Sequence, residues 1–314
     1  MGSASRNGLF FESTKQGFAQ IEAAHDFFWC AAVAIWNTRA DLAGLRHVAP
    51  DISQEDLASR FAAGSGLSGS NVVTSMDGQS WADQMDEIAS LRLVVVFAHF
   101  EGWLEAVSGQ LGLDLQRRRT WSGQMAVPNK WKSAVASLGT SEPLRQLVAR
   151  SPMHGYDLQG QLHEAIVCLR YFKEVRNCVA HNGGGATQRL LDSQADYATV
   201  VSGGSLGSVY EPPVFRPVVS LGEPVAADHH GVVGFTGLLQ RIMATLDSLL
   251  LQTAAAEQSY LEGWAEANGR RRQLPAGGDR RTATLRKLAG RVGPKPTAVP
   301  APLEALLKGA GAIT

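Results

Sequence analysis

The sequence predicts an all-α fold, a helical bundle with a small β-hairpin insertion at about residues 195–233 and a basic, partly flexible C-terminal arm. Three observations support this prediction. Hydrophobic residues make up 45% of the 314 residues, which is enough to form a buried core. Four long stretches repeat apolar residues every three or four positions, the spacing of a helix with one buried side. Short β-prone runs separated by Gly and Pro are concentrated between residues 197 and 233.

The apolar periodicity also places the individual helices. The long helices are predicted at residues 14–37, 81–111, 158–180 and 235–267, and shorter ones at residues 144–150 and 303–308. Residues 93–98 are apolar on every side and β-branched enough for a strand, but the length and flanks of the segment favour a buried helix. Asp157 is the predicted N-cap of the third long helix, and Gly183–Gly185 are its predicted end. Residues 63–70 are predicted as a loop and residues 117–128 as a basic connector.

Charge is balanced over the whole chain but not along it. Residues 267–314 hold 10 basic and 2 acidic residues, a net charge of +8, whereas residues 1–266 hold 19 basic and 27 acidic residues, a net charge of −8. Segments that are basic and rich in proline bury little apolar surface. We therefore predict a helical domain over residues 1–267 and a basic arm over residues 268–314. The charge of the arm fits either solubility or contact with nucleic acid.

The cysteines and the hydropathy indicate the compartment. Cys30, Cys168 and Cys178 are odd in number and lack C-x-x-C spacing, so they support neither a disulfide framework nor a cysteine zinc site. The most apolar run, residues 93–98, is far shorter than the roughly 20 residues that cross a bilayer. We expect a cytoplasmic protein without a membrane partner.

One charged residue falls on the wrong side of the third long helix. Projected at 100° per residue, Arg176 lies with Leu169 and Phe172 on the apolar side. The opposite polar stripe consists of His163, Arg170, Glu174, Asn177 and His181. Removing a guanidinium from water costs several kcal/mol unless an anion replaces the solvent. Arg176 is therefore expected to meet a carboxylate of this chain, a carboxylate of another subunit, or a phosphate.

Two acidic residues are candidates for an internal partner. Glu101 and Glu105 project within about 40° of each other and interrupt the apolar pattern of the second long helix. A buried acid on one helix and a buried base on another predict a packing pair. In this interpretation, Arg176 and Glu101 form a purely structural ion pair.

The segment from Glu174 to Gly183 resembles the signature of the HEPN superfamily (higher eukaryotes and prokaryotes nucleotide-binding). Members of that family carry an Arg, usually followed by a polar residue, and then a His near a helix end. Arg176, Asn177 and His181 match this pattern, with four residues between Arg and His. The resemblance covers residues 80–185. It implies helical bundles that pair as dimers and cleave RNA without metal.

The pattern becomes specific only through its context. In a chain with 22 Arg and 8 His, a bare Arg-x4–6-His pattern arises by chance about once or twice, and Arg92 with His99 also matches it. The second instance adds the Arg-Asn dipeptide, a predicted helix end and a glycine stop. These additions favour the segment around Arg176 over the segment around Arg92.

The resemblance implies a metal-independent endoribonuclease that acts as a homodimer in a toxin or antiviral defence setting. Histidine suits proton transfer near neutral pH, and arginine suits the stabilisation of phosphate charge. The expected catalytic residues are Arg176, Asn177 and His181, supported by Glu101, Glu105 and Glu174, with Arg170 and Lys173 as RNA-binding residues. No cofactor and no metal is expected. The expected partners are RNA, a second copy of the chain, and an antitoxin or regulatory protein.

Two other interpretations stay open. The same bundle could bind a nucleotide, RNA or a protein without cleaving anything, or it could be a scaffold in which Arg176 pairs with Glu101. Arg176 and His181 lie about 140° apart on an ideal helix. Either the helix ends or bends before His181, or a partner subunit completes the site.

The remaining histidines are interpreted structurally. His25 and His99 lie on apolar helices and are expected to be hydrogen-bonded core residues. His229 and His230 with Asp228 are placed in an extended loop without a third ligand nearby, which argues against a metal site.

Overall fold

The computed structural model describes residues 8–66, 72–151, 158, 160–181, 183–204, 206, 211–213, 217–218 and 220–314. The predicted all-α class is confirmed, because thirteen α-helices account for most of the described residues. They are α1 (Glu12–Val48), α2 (Gln54–Ala62), α3 (Val72–Gly78), α4 (Trp81–Gln110), α5 (Leu115–Met125), α6 (Trp131–Ala136), α7 (Glu142–Ala149), α8 (Leu162–His181), α9 (Gln188–Ser202), α10 (His229–Leu251), α11 (Ala256–Asn268), α12 (Gly278–Ala289) and α13 (Ala301–Gly309). The predicted N-cap Asp157 lies outside the described residues.

Side-chain N-caps define the starts of helices α4 and α10. Helix α4 starts with a capping box, in which the Ser80 hydroxyl accepts from the Asp83 amide and the Asp83 carboxylate accepts from the Ser80 amide. Helix α10 follows the N-cap Asp228, whose carboxylate accepts from the Gly231 amide at 2.9 Å. The strand-like residues 93–98 lie in the middle of α4, as their length and flanks predict.

Helices α4, α8 and α10 meet in an aromatic stack at the centre of the core. The ring of Phe235 on α10 stacks on Phe172 of α8, with centroids 4.5 Å apart, and on Phe97 of α4, with centroids 5.2 Å apart. All three residues are buried. The stack fixes the positions of the two helices that carry the predicted site residues.

The predicted β-hairpin at residues 195–233 is not found in the described residues. The β-prone residues 198–201 belong to α9, and the nearest β pairing is a single bridge between Gly185 and Pro224. Helix α9 buries Tyr197, whose ring stacks on Tyr171 of α8 at 4.8 Å. Burial of one helix face against α8 outweighs the β preference of Val200 and its neighbours.

The predicted flexible arm is wrong for residues 268–314. Helices α12 and α13 bury Leu285, Leu288, Leu303 and Leu307 in the main core. Arg281 of α12 forms an ion pair with Glu304 of α13 at 2.9 Å. Leucines spaced three or four residues apart provide two amphipathic helices within a composition that is basic and rich in proline. The boundary predicted at residues 267/268 therefore does not separate a folded part from a flexible one.

Two further boundaries differ from the predictions. The connector predicted at residues 117–128 is mostly helix α5, which begins after the N-cap Asp114. The helix predicted at residues 235–267 is two helices, α10 and α11, because a turn at Thr253 breaks it. No helix within the described residues combines the length and hydropathy that a bilayer-spanning segment needs.

Candidate functional site

Helix α8, which carries the HEPN-like segment, is held firmly by the core. Tyr171 and Phe172 contact Tyr197 of α9, and Phe172 also stacks on Phe235 of α10. Cys168 is fully buried, and burial raises the pKa of its thiol to about 12. This thiol is therefore a packed apolar group and not a nucleophile.

Arg176 has the internal anion that its position in the helix predicts. Its Nη2 donates to Oε1 of Glu101 on α4 at 2.5 Å, and its guanidinium carbon lies 5.3 Å from the centroid of the Phe97 ring. The Arg176 side chain is only 14% exposed. Its buried Nε has no hydrogen-bond partner within the described residues. The guanidinium is thus fixed at the edge of the core with part of its donor capacity unused.

The expected burial of the two α4 carboxylates is wrong. The Glu101 side chain is 49% exposed although it pairs with Arg176, and Glu105 is also exposed. The reason is geometric, because both residues lie at the solvent-facing rim of α4 while Phe97 and Phe100 point inward. The pair is therefore a half-exposed ion pair and not a buried one.

A cleft of about 400 Å³ opens beside this pair, between α4, α5 and α8. Phe97 and Phe100 form its floor, and Glu101 and Glu105 line the α4 side. The cations that line the cleft are Arg118, Arg119 and Lys173. Lys173, a predicted RNA-binding residue, is therefore at the cleft wall. The other predicted RNA-binding residue, Arg170, lies next to Glu174, with its Nε 3.9 Å from Glu174 Oε1.

Asn177 and Glu174 contact each other one helical turn apart. The Asn177 amide donates to Glu174 Oε2 at 3.3 Å. Glu174 is only 8% exposed, so it is buried and not part of an exposed polar stripe. Asn177 thus contacts a carboxylate that precedes it in α8, whereas His181 follows it.

His181 is the last residue of α8, and its side chain is exposed. Gly183 and Gly184 follow with φ of 60° and 80°, and the Gly184 amide donates to the Cys178 carbonyl, which closes the helix end. Because α8 remains helical through His181, the alternative that the helix ends before this residue is wrong. One chain therefore does not bring His181 to the Arg176 guanidinium.

The residue that sequence reasoning missed is Arg92 on α4, which is 0% exposed. Its Nη2 contacts Nδ1 of His25 at 2.6 Å and Thr236 Oγ1 at 3.4 Å. Its Nε and Nη1 are buried and have no hydrogen-bond partner in the part of the chain that the structure describes. No carboxylate within the described part of the chain pairs with it. The sequence did indicate this burial, because Arg92 lies at four-residue spacing with Ile88, Val96 and Phe100, which are all buried.

Two partly buried imidazoles accompany Arg92. Trp29 of α1 lies between them, with its ring 6.2 Å from His25 and 5.9 Å from His229. Burial lowers the pKa of both histidines, and the nearby Arg92 charge lowers each further. The loop position predicted for His229 is wrong, because this residue is the first of α10.

Within the described residues, no group of three His, Cys, Asp or Glu side chains is arranged to hold a metal ion. Comparisons of the chain with protein-family models, curated proteins and solved structures found no match. The HEPN resemblance therefore depends on residues 174–183 and on the helices around them.

Proposed function

We propose that this protein is a metal-independent endoribonuclease of the HEPN type that acts as a homodimer. The observation that carries the proposal is the arrangement of the HEPN-like segment. Arg176 is fixed by Glu101 and Phe97 at a cleft-forming helix, and His181 is exposed where that helix ends. A toxin or antiviral defence role, with an antitoxin or regulatory protein as partner, is the biological setting that the resemblance implies.

The proposed chemistry uses the 2′-hydroxyl of RNA as the nucleophile. A neutral imidazole takes the 2′-hydroxyl proton, the oxygen attacks phosphorus, and an imidazolium protonates the departing 5′-oxygen. The products are a 2′,3′-cyclic phosphate and a free 5′-hydroxyl. Arg176 would bind the charged phosphorane, since a guanidinium donates to phosphate oxygens without losing its own charge. Asn177 would orient the phosphate or the imidazole, and Arg170 and Lys173 would bind flanking phosphates.

A second copy of the chain would supply what one chain lacks. One chain offers a single motif imidazole, whereas the reaction needs a base and an acid together. An isologous dimer places the same surface of both chains at a two-fold axis. Two exposed His181 side chains across that axis would supply both forms, and each Arg176 would serve the phosphate between them.

The test is RNA cleavage in EDTA by the full chain and by two matched variants. His181→Ala removes the proposed acid and base. His47→Ala is the control, because His47 is also an exposed histidine in the last turn of a helix. We expect His181→Ala to lose cleavage by about 100-fold or more, the usual contribution of general acid–base catalysis. The His47→Ala control should cleave like the unaltered chain.

The same assay separates the enzyme from the binding module. If the unaltered chain binds RNA but does not cleave it, the nuclease proposal is wrong and the protein has a non-catalytic RNA-binding role. The scaffold interpretation is favoured by the Arg176–Glu101 pair itself. It predicts that the chain neither binds nor cleaves RNA and that Arg176→Ala affects only stability.

A further inference from the structure

Arg92 is a cation in the core for which the described chain provides no anion. Its side chain is 0% exposed, and two of its three nitrogens lack a hydrogen-bond partner among the described residues. The third nitrogen, Nη2, contacts the imidazole Nδ1 of His25 and the hydroxyl of Thr236. A buried guanidinium usually has a carboxylate or phosphate partner because desolvation is costly. This cost indicates that an anion from outside the chain completes the cluster.

The cluster reaches the surface through its two histidines. His25 and His229 are partly exposed, and the Trp29 ring lies against both of them. His229 is also the first residue of the 23-residue helix α10, where backbone amides and the helix dipole favour negative charge. After Arg92 Nε and Nη1, its Nδ1 is the third buried nitrogen of the cluster without a hydrogen-bond partner among the described residues.

An apolar pocket of about 420 Å³ adjoins His229, and Trp29, which contacts His25, forms part of its wall. Its walls include the indoles of Trp29, Trp36 and Trp81, and His229 lies at its edge. Trp29 and Trp36 are each 53% exposed although they are among the largest apolar side chains. Trp36 and Trp81 meet edge to face with centroids 5.2 Å apart, and both line the pocket. Such walls are suited to a planar aromatic group.

The carboxylates nearby do not cancel the positive charge. Asp228 lines the pocket, but its carboxylate already caps α10 through the Gly231 amide. Asp86 lines the pocket on the α4 side, and Asp26 is next to His25 on α1. At His229, burial lowers the pKa, and the charge of Arg92 lowers it further although Asp228 is nearby.

We propose that Arg92, His25 and His229 form a binding site for an aromatic phosphate ester. The phosphate would lie against the two imidazoles in front of Arg92, and the aromatic ring would occupy the tryptophan-lined pocket. The site lies between α1, α4 and the start of α10, and it does not depend on the nuclease proposed at Arg176 and His181.

Binding at this site is coupled to protonation. Because Arg92 donates to His25 Nδ1, the His25 proton resides on Nε2 and the ring is neutral. A bound dianion offsets the Arg92 charge and favours the imidazolium form of His229, whereas His25 keeps Nδ1 as the acceptor for Arg92 and donates to the anion from Nε2. Affinity should therefore rise as the pH falls from 7 toward 6. Benzenesulfonate, whose own charge is constant in this range, separates this effect from the titration of phosphate.

The experiment is a titration of the imidazole NMR signals of the full chain with phenyl phosphate, and separately with inorganic phosphate. We expect phenyl phosphate to raise the pKa of His229, to shift the His25 signals, and to bind at least about threefold more tightly than inorganic phosphate, the contribution of one aromatic contact. Absence of binding, or equal binding of the two probes, would overturn the proposal.

Three variants assign the effect to the site. Arg92→Met should weaken phenyl phosphate about tenfold or more, the loss of one charge-assisted interaction. His229→Asn, at a partly exposed position, gives the same test if Arg92→Met fails to fold. Trp36→Ala should weaken phenyl phosphate roughly threefold to tenfold and leave inorganic phosphate unchanged. His47→Asn is the matched control, and unchanged affinity in both Arg92→Met and His229→Asn would exclude the site.

Discussion

Two arginines on neighbouring helices have opposite environments in this fold. Arg176 of α8 lies at the rim of the core, is 14% exposed and pairs with Glu101. Arg92 of α4 lies inside the core, is 0% exposed and pairs with no carboxylate among the described residues, where its Nη2 contacts His25 and Thr236. A half-exposed ion pair costs little and contributes little. Burial of a cation without a counter-ion opposes folding. Arg92 would therefore gain more stability from an external anion than Arg176 would.

The largest expected effect comes from removing the ring that both regions share. Phe235 stacks on Phe97, which lies beneath Arg176, and it precedes Thr236, which contacts Arg92. Phe235→Ala leaves a cavity where α4, α8 and α10 meet and should lower the free energy of unfolding by about 3–5 kcal/mol. Urea unfolding measures this loss. A loss below about 1 kcal/mol would show that the three helices do not depend on this contact.

The second prediction contrasts the two arginines directly. Arg92→Met replaces a buried cation by an apolar side chain and should raise the free energy of unfolding by about 1–4 kcal/mol in the absence of ligand. The matched variant Arg176→Met should lower it by about 1 kcal/mol or less. Thermal and urea unfolding of both variants check the opposite signs. Destabilisation by Arg92→Met would mean that the core already satisfies this guanidinium.

The third prediction concerns pH. His25 and His229 have lowered pKa values in the folded chain, so the unfolded chain binds more protons once the pH falls below about 6.5. The stabilisation is therefore complete above this pH and is lost as the pH falls through the folded pKa values. Arg92→Met removes one cause of the lowering and should make the loss smaller. Unfolding at pH 7.5 and 5.5 tests this, with Arg176→Met as the variant whose pH dependence should match that of the unaltered chain.

The smallest expected effect is at Glu101. Glu101→Gln keeps an acceptor for Arg176 but removes the charge, and the Glu101 side chain is half exposed. The free energy of unfolding should change by about 1 kcal/mol or less, and a double-mutant cycle with Arg176→Met should give a coupling of about 0.2–1 kcal/mol. A coupling above about 3 kcal/mol would require a buried pair, as the sequence predicted, and would contradict the exposed position of Glu101.

The sequence was informative wherever periodicity and burial agree. Helices α4 and α8 were predicted because their apolar residues repeat at helical spacing over several turns, and the Arg176–Glu101 pair followed from a charge on an apolar face. Helix α12 was missed, and the helix predicted at residues 303–308, which is α13, was placed in a flexible arm, because each buries only a few leucines within a basic composition. Helix α9 was missed because its β-branched residues gain stability from contact with α8, a long-range contact that local preference does not show.

The candidate site shows the same limit. The argument that a buried guanidinium needs an anion was sound, but it was applied to Arg176 and applies more strongly to Arg92. The sequence context favoured Arg176 as the functional residue, because a helix end and a glycine stop follow it, whereas Arg92 lies among apolar residues. What decides between them is how completely each side chain is enclosed, and that depends on α1 and α10. The partners His25 and His229 are 67 and 137 residues from Arg92 in the chain, and only the fold brings them together.

The position of Trp29 makes the histidine pair observable without any label. Of the seven tryptophans, it is the one whose ring contacts imidazoles in the described part of the chain. An indole emits less light when an adjacent imidazole carries a proton than when that imidazole is neutral. The intrinsic emission of Trp29 should therefore dim on acidification, and Trp29→Phe should remove that component of the signal. The protein thus contains its own optical indicator for the charge beside Arg92.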